Sequence, residues 1–484
     1  MTTPAVGQEP ALLWERFLEL TRLARPPKAE GPAREHVVEW ADERDLASRV
    51  NAQGNVVVEI PATSDRADAP TVVLQSHLDM VCERDPASSY DPREGRIGVL
   101  VEGDWVIADG TTLGADNGIG VAAALAIAED VDVEHGPLEL LFTVSEEQGL
   151  DGARALDASM VSGRLLVNLD GTSDNALTVG CAGSHHTFLR LPLGLEPARP
   201  GSAFLRIALT GARGGHSGED IGKGRANAIK GLGLVLSAAF ARAPFELATL
   251  SGGVSRNAIP REAHALVAVA AERVEDLRAA ATAEMNALLR RYAGTDDGLV
   301  LSIDETAPAP VADLETSRRA LDLLAAIPTG VVALTPGLPG VVETSTSLTV
   351  ANTDDGTLTL SSMSRSASAA ALDELLAAQE ALARLGGAAI EVRRSYPPWE
   401  PKLDSSLLEK ARSTYLRLFE REPALAVVHG GLECAVLGER LPGVEMISIG
   451  PEIVGPHAPG EKVRISSTQR FYELLGALLD DLSR

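Results

Sequence analysis

His77 and Asp79 stand two residues apart at the end of the apolar run Thr71-Val-Val-Leu74. On a strand, residues i and i+2 share a face, so both side chains project from one strand end. A metal-binding histidine held by a neighbouring carboxylate is a common part of a zinc site. An isolated pair reads more readily as a satisfied surface histidine. Four further ligand-type groups follow, however, each beside its own expected element. Gly114-Ala-Asp-Asn-Gly118 opens a helix and offers Asp116, for which helix capping is the plainer reading. Ser145-Glu-Glu-Gln148 ends the strongly apolar run Leu138–Val144. Adjacent carboxylates usually mark a solvated face, but the carboxyl end of a buried strand is where α/β sheets bind ligands. Of Glu146 and Glu147, one can ligate a metal while the other stays free as a general base. Asp170 follows the apolar Leu165–Leu169, and His457 lies in a Pro/Gly loop beyond Ile447–Ile449. Together His77, Asp116, Glu147, Asp170 and His457 are ligands of the type zinc takes. Spread over two ions with one shared carboxylate, they make a two-metal hydrolase site.

The elements that must position these groups alternate. Helical periodicity spans 11–25 and 34–45, and β-rich runs cover 55–60, 71–75, 96–101 and 105–108. A helix is predicted over 120–130, then strands at 138–144 and 164–169. That order indicates an α/β layer with a mostly parallel sheet. Prolines at 192, 197 and 200 mark a hinge. Beyond it, 204–304 reads β-α-β-β-α-β, the ferredoxin-like pattern, and a second α+β stretch runs over 314–393. The insert is too long for one ferredoxin-like unit and reads as doubled. Ser395–Pro401 is the return hinge. The expected organisation is a catalytic domain over 1–190 and 400–484, with a lid domain over 191–399.

The 484 residues include 45% hydrophobic and 23% charged residues, enough for a sizeable core. A formal charge of −25 disfavours nucleic acid and anionic membrane as partners. No apolar run reaches the roughly 20 residues of a membrane helix, and the first ten residues lack a secretory pattern. Three scattered cysteines do not form a disulfide framework. A cytoplasmic location follows as the simplest expectation.

The motifs Ser76-His-Leu-Asp79, Gly114–Gly118, Ser145-Glu-Glu147, Asn168-Leu-Asp170 and Pro456-His457 resemble those of the co-catalytic di-zinc peptidase family that includes aminoacylase and glutamate carboxypeptidase. Gly214-Gly-His-Ser-Gly218, Gly224–Ala228, Arg256–Glu262, Val342–Thr346 and His429–Cys434 resemble its aminoacyl-histidine dipeptidase branch. The resemblance covers nearly the whole chain, in order. It implies the di-zinc aminopeptidase-like fold for the α/β domain. It implies that His77 and Asp170 hold one zinc, Glu147 and His457 the other, and that Asp116 bridges them through a cis Asp116–Asn117 peptide. Manganese or cobalt are possible substitutes. It further implies that Asp79 orients His77 and that Glu146 is the general base for a metal-bridging hydroxide. His216 would close over the site and bind the oxyanion. Asn257 and Arg365 would hold the substrate's carbonyl and carboxylate, and Glu433 its free amine. The implied reaction is hydrolysis of unblocked dipeptides, Xaa-His first, by a monomer or homodimer. The alternatives are an N-acyl amino acid deacylase, a metallocarboxypeptidase, or a non-catalytic metal-binding protein on the same scaffold.

Other candidates carry less. Gly118-Ile-Gly-Val-Ala-Ala123 fits a loose dinucleotide fingerprint, but Asp116 would sit where a pyrophosphate binds. His185 and His186 match no family ligand. Cys82 is expected to be a small apolar filler rather than a thiolate ligand.

Overall fold

Val72–His77 is a strand with all six residues buried, as is Leu138–Thr143. Such continuous burial is what a sheet covered on both faces requires. The computed structural model describes residues 8–63 and 65–484, and these divide into two units. The first comprises the chain up to Cys181, with Trp399–Val428 and Leu432–Arg484. Its eight-stranded sheet runs in the order Ser48–Val50, Val56–Ile60, Leu138–Thr143, Val72–His77, Leu165–Asn168, Glu445–Ser448, Ala176–Cys181, Ala424–Val428. From Leu138–Thr143 to Glu445–Ser448 the neighbours are parallel. Their carboxyl ends therefore open on one edge, and His77, Glu146, Glu147, Asp170 and the loop to His457 all leave from it.

The helix Ala115–Glu129 carries Asp116. It is Ala- and Gly-rich and buried nearly all round, as a helix inside a domain should be. A small four-stranded sheet adds Val99–Glu102, Trp105–Ala108, Lys462–Arg464 and Ile453–Val454. Its last pair is an antiparallel hairpin with His457 in the connecting loop.

The second unit comprises Ala182–Pro398 and His429–Gly431. Chain order in its nine-stranded antiparallel sheet gives two ferredoxin-like repeats. Ser202–Thr210, Phe245–Gly252, Ala263–Ala270 and Val300–Glu305 pair in the spatial order 4-1-3-2. Gly183–Pro192, Val342–Asp354, Thr357–Ser366 and Ala389–Tyr396 continue it as 2-3-1-4, with Gly330–Leu334 alongside Val342–Asp354. The two repeats meet strand two to strand two, at Gly252 opposite Ala351. The doubling expected from length is thus present, but nested: the second repeat's first strand precedes the whole of the first repeat.

This nesting moves the expected boundary. The chain passes into the second unit at Cys181–Ala182 rather than near residue 190. Gly183–Pro192 pairs along its length with Thr357–Ser366, so the prolines that follow it lie inside the second unit. The return at Pro398–Trp399 falls within the expected hinge. Among the described residues, no helix is long and apolar enough to cross a membrane.

Candidate active site

In the first unit, the five candidate ligands converge. His77 Nε2 lies 3.2 Å from Asp116 Oδ1 and 3.6 Å from Asp170 Oδ1. His457 Nε2 lies 3.3 Å from Asp116 Oδ2 and 3.1 Å from Glu147 Oε1. Asp116 therefore turns one oxygen to each histidine. A tetrahedral zinc with bonds of about 2.0–2.1 Å has ligand–ligand edges of about 3.3 Å. The observed separations match those edges. Glu147 Oε1 makes no hydrogen bond to any described residue, although His457 Nε2 is beside it. Two such atoms in contact without a hydrogen-bond angle suit a shared third atom better than each other. The residues fit two divalent cations, one against His77, Asp116 and Asp170 and one against Asp116, Glu147 and His457.

Expected features and groups that the sequence did not point to together hold this geometry. The Asp116–Asn117 peptide is cis. Glu461 accepts from the backbone N–H groups of Leu113, Gly114, Ala115 and Asp116, gathering the orphan donors of the helix start. Buried Arg25 donates to the carbonyls of Leu78, Asp79 and Gly114, tying the His77 strand end to the Asp116 turn. Gly114 has φ 68°, and a Cβ there would strike Arg25 and Met80. Asn117 donates to Asp170 Oδ1 at 2.7 Å and to the Leu169 carbonyl. Asp79 has a double task. Its carbonyl, at 3.1 Å, is nearer His77 Nδ1 than its carboxylate at 3.5 Å. The carboxylate accepts from the backbone N–H of Glu146 and of Glu147, both at 3.0 Å, and so fixes the turn that presents them. Ser145, with φ 54°, is pinned there by Glu30.

The electrostatics follow from crowding carboxylates in a buried place. Burial alone lowers His77, but Asp170, Asp116 and Asp79 outweigh it and hold the imidazolium well above its usual range. The facing carboxylates of Asp116 and Glu147 raise half-exposed His457 to about 11. Burial and Asp116 push Asp170 up to about 7. Asp116 is driven far down, its own burial overcome by the two imidazoles. The cluster is an anionic pocket that draws positive charge, proton or metal. Glu146 is raised well above the carboxylate range, chiefly by burial, which suits a group that takes and returns a proton near neutral pH.

Glu433, expected at the substrate's amine, is 1% exposed. Its Oε2 accepts from Gln75 and Thr143, both at 2.6 Å, while Gln75 Oε1 accepts from Asn168. Asn168 in turn accepts from the backbone N–H of Asp170. Through Oε2, Glu433 braces the strand ends from inside, while its Oε1 makes no hydrogen bond to any described residue. Cys82 is buried, and its thiol is pushed up to about 11 by that burial, which disfavours a thiolate ligand.

The second unit holds the other expected residues. His216 Nδ1 accepts from the N–H groups of Gly218 and Glu219, which leaves Nε2–H as a donor. Burial and Arg365 lower its pKa, so it is neutral. Arg365 is 3% exposed and donates from Nη1 to Tyr396 Oη. Asn257 is exposed, and its carbonyl accepts from Ser217 N–H. His429 joins this group, with Nε2 2.7 Å from Ser345 Oγ.

The sequence matches Peptidase family M20/M25/M40 over residues 73–481. The chain belongs to that family. This peptidase is 36% identical over 474 residues to the cytosol non-specific dipeptidase of Escherichia coli (strain K12), covering 98% of each chain. It resembles the crystal structure of aminoacylhistidine dipeptidase from Vibrio alginolyticus with a TM-score of 0.93 at 34% identity, over 99% of this chain and 98% of that one. An aminopeptidase PepT structure from Bacillus cereus ATCC 10987, at 16% identity and a TM-score of 0.56 over 98% of each chain, shares the fold.

Proposed function

We propose that this peptidase hydrolyses the peptide bond of unblocked dipeptides, Xaa-His among them, with two zinc ions held by His77, Asp116, Glu147, Asp170 and His457. The observation that carries this reading is that each Asp116 oxygen faces one histidine, at 3.2 and 3.3 Å, and that each histidine also meets a second carboxylate, at 3.6 and 3.1 Å. Two full-length relatives named as dipeptidases support the substrate class. Cations bound there would lower the pKa of a water and polarise the scissile carbonyl. Glu146 takes the proton from the attacking water and gives it to the leaving amine. Asp79 holds Glu146 and Glu147 in place through their backbone N–H groups. His216 donates its Nε2–H to the developing oxyanion, and Arg365 offers a planar fork to the C-terminal carboxylate.

The test is a matched panel of free and N-acetylated dipeptides with metal-loaded protein. Cleavage confined to the free series is expected. Cleavage of the acetylated series instead would reassign the enzyme as a deacylase or carboxypeptidase. Glu146→Gln should lower kcat by about 10²–10⁴-fold with two ions still bound. Full activity in that variant would end the assignment of the base.

A further inference from the structure

One face of the second unit's sheet carries buried polar atoms that satisfy nothing within the chain. Strand register places Ser345, Arg365, Ser184 and Tyr396 in one row across it. The next row on that face is Ser347, Met363, His186 and Arg393. Arg365 Nε, Ser184 Oγ, Ser347 Oγ, His186 Nδ1 and His429 Nδ1 are buried and make no hydrogen bond to any described residue. Buried polar groups are almost always paired, so a cluster of unpaired ones needs an explanation, and a ligand is one. The face is not anionic like the rest of this chain. Arg256 and Arg393 lie over the Phe188 ring at 5.3 and 4.9 Å, one pleat beyond His186. Burial first, and the surrounding guanidiniums second, push His186 and His429 down to about 4, so both are neutral hydrogen-bonding groups at pH 7.

We infer that Ser347 and His186 form the subsite for the side chain of the dipeptide's C-terminal residue. The subsite selects an uncharged side chain that both donates and accepts, imidazole or carboxamide, over aliphatic and cationic ones. The inference rests on the dipeptidase reading, with the α-carboxylate at Arg365. Successive rows on one face are about 7 Å apart along the strands, a distance the side chain on the same α-carbon spans. The serine hydroxyl and the neutral imidazole each offer a donor or an acceptor, which an imidazole or amide can satisfy and a methyl cannot. Arg256 and Arg393 repel lysine and arginine side chains. Arg393 is itself bound by Glu391, which weakens its draw on an acidic side chain.

The test compares kcat/KM for Ala-His, Ala-Asn, Ala-Ala, Ala-Asp and Ala-Lys in wild type and in a His186→Leu, Ser347→Ala double variant. Wild type should favour Ala-His and Ala-Asn and discriminate most strongly against Ala-Lys. The double variant should lower the Ala-His to Ala-Ala ratio by about tenfold or more, the usual effect of a lost specific hydrogen bond. His186→Gln should keep part of that ratio. L-Histidine should inhibit wild type at lower concentration than L-alanine, a readout that needs no variant to fold. An unaltered ratio, equal inhibition by the two amino acids, or a preference for Ala-Asp would overturn the subsite while leaving the dipeptidase reading intact. A metal-loaded wild type that cleaves no free dipeptide would take both down.

Discussion

At the carboxyl edge of the parallel sheet, crowded carboxylates raise the pKa of His77 and His457, so the place favours positive charge, whether proton or metal. On the antiparallel sheet of the second unit, His186, His216 and His429 are held neutral beside guanidiniums. The same side chain is thus set among carboxylates in one place and beside guanidiniums in the other. Under the proposed function, the first cluster would take cations and the second an anion that also hydrogen-bonds. In a chain of net charge −25, guanidiniums thus gather on the face where a peptide carboxylate would be received.

The contrast breaks most completely at Asp116. Asp116→Asn keeps the shape but removes the shared charge, and a bound cation is worth several kcal/mol, so activity should fall on the order of 10³-fold or more. Metal content measured on the same sample should fall with it. An active variant with two ions would refute the bridging role. Arg365→Ala attacks the other side. A charged hydrogen bond is worth about 1.5–3 kcal/mol, roughly a ten- to hundredfold loss in kcat/KM. The loss should appear mainly in KM, with metal content intact, and Arg365→Lys should recover only part of it. Glu433→Ala should leave Gln75 and Thr143 without their acceptor and cost about 1–3 kcal/mol of stability in urea unfolding. Glu433→Gln should cost less. A Glu433 variant that is fully stable but has lost selectivity for a free amine would restore its expected role at the substrate.

The contrast also sets a pH dependence. His186 and His429 have folded values of about 4, below an unfolded value of about 6.5. The unfolded chain then binds more protons between those values, so stability falls as pH drops from about 6.5 towards 4 and is unaffected by these groups above that window. Thermal unfolding across the window should show the fall, and a His186→Asn, His429→Asn variant should flatten it.

The five converging candidate ligands and the doubled insert were legible because each group ends an apolar run or opens a helix, and periodicity marks those ends. The supports were not. Arg25 is one arginine among many in sequence, yet it is fully buried and holds three carbonyls. Glu461, four residues past His457, looks like a loop carboxylate. Only folding brings it to the start of the Asp116 helix. Asn117 had a visible signal, its place in the Gly114–Gly118 turn. The boundary at Cys181 was hidden because two strands, Ala176–Cys181 and Gly183–Pro192, follow one another almost without a break while joining different sheets. Proline content pointed downstream of it.

Glu196 and Val311 exchange two backbone hydrogen bonds, at 2.9 and 2.8 Å, where the chain enters and leaves the first ferredoxin-like repeat. The stretch between them is therefore an insertion cassette with its ends already stapled. With the ends held, the loop-closure part of changing its length varies only slowly, although its residues share one core with the second repeat. Removal would bare the Ala351 end of Val342–Asp354, an open edge that invites another strand. A one-repeat chain would have to cover that edge with a second copy of itself. In this chain the first repeat's strand Phe245–Gly252 lies against that end instead, so the cassette caps the edge from within one polypeptide.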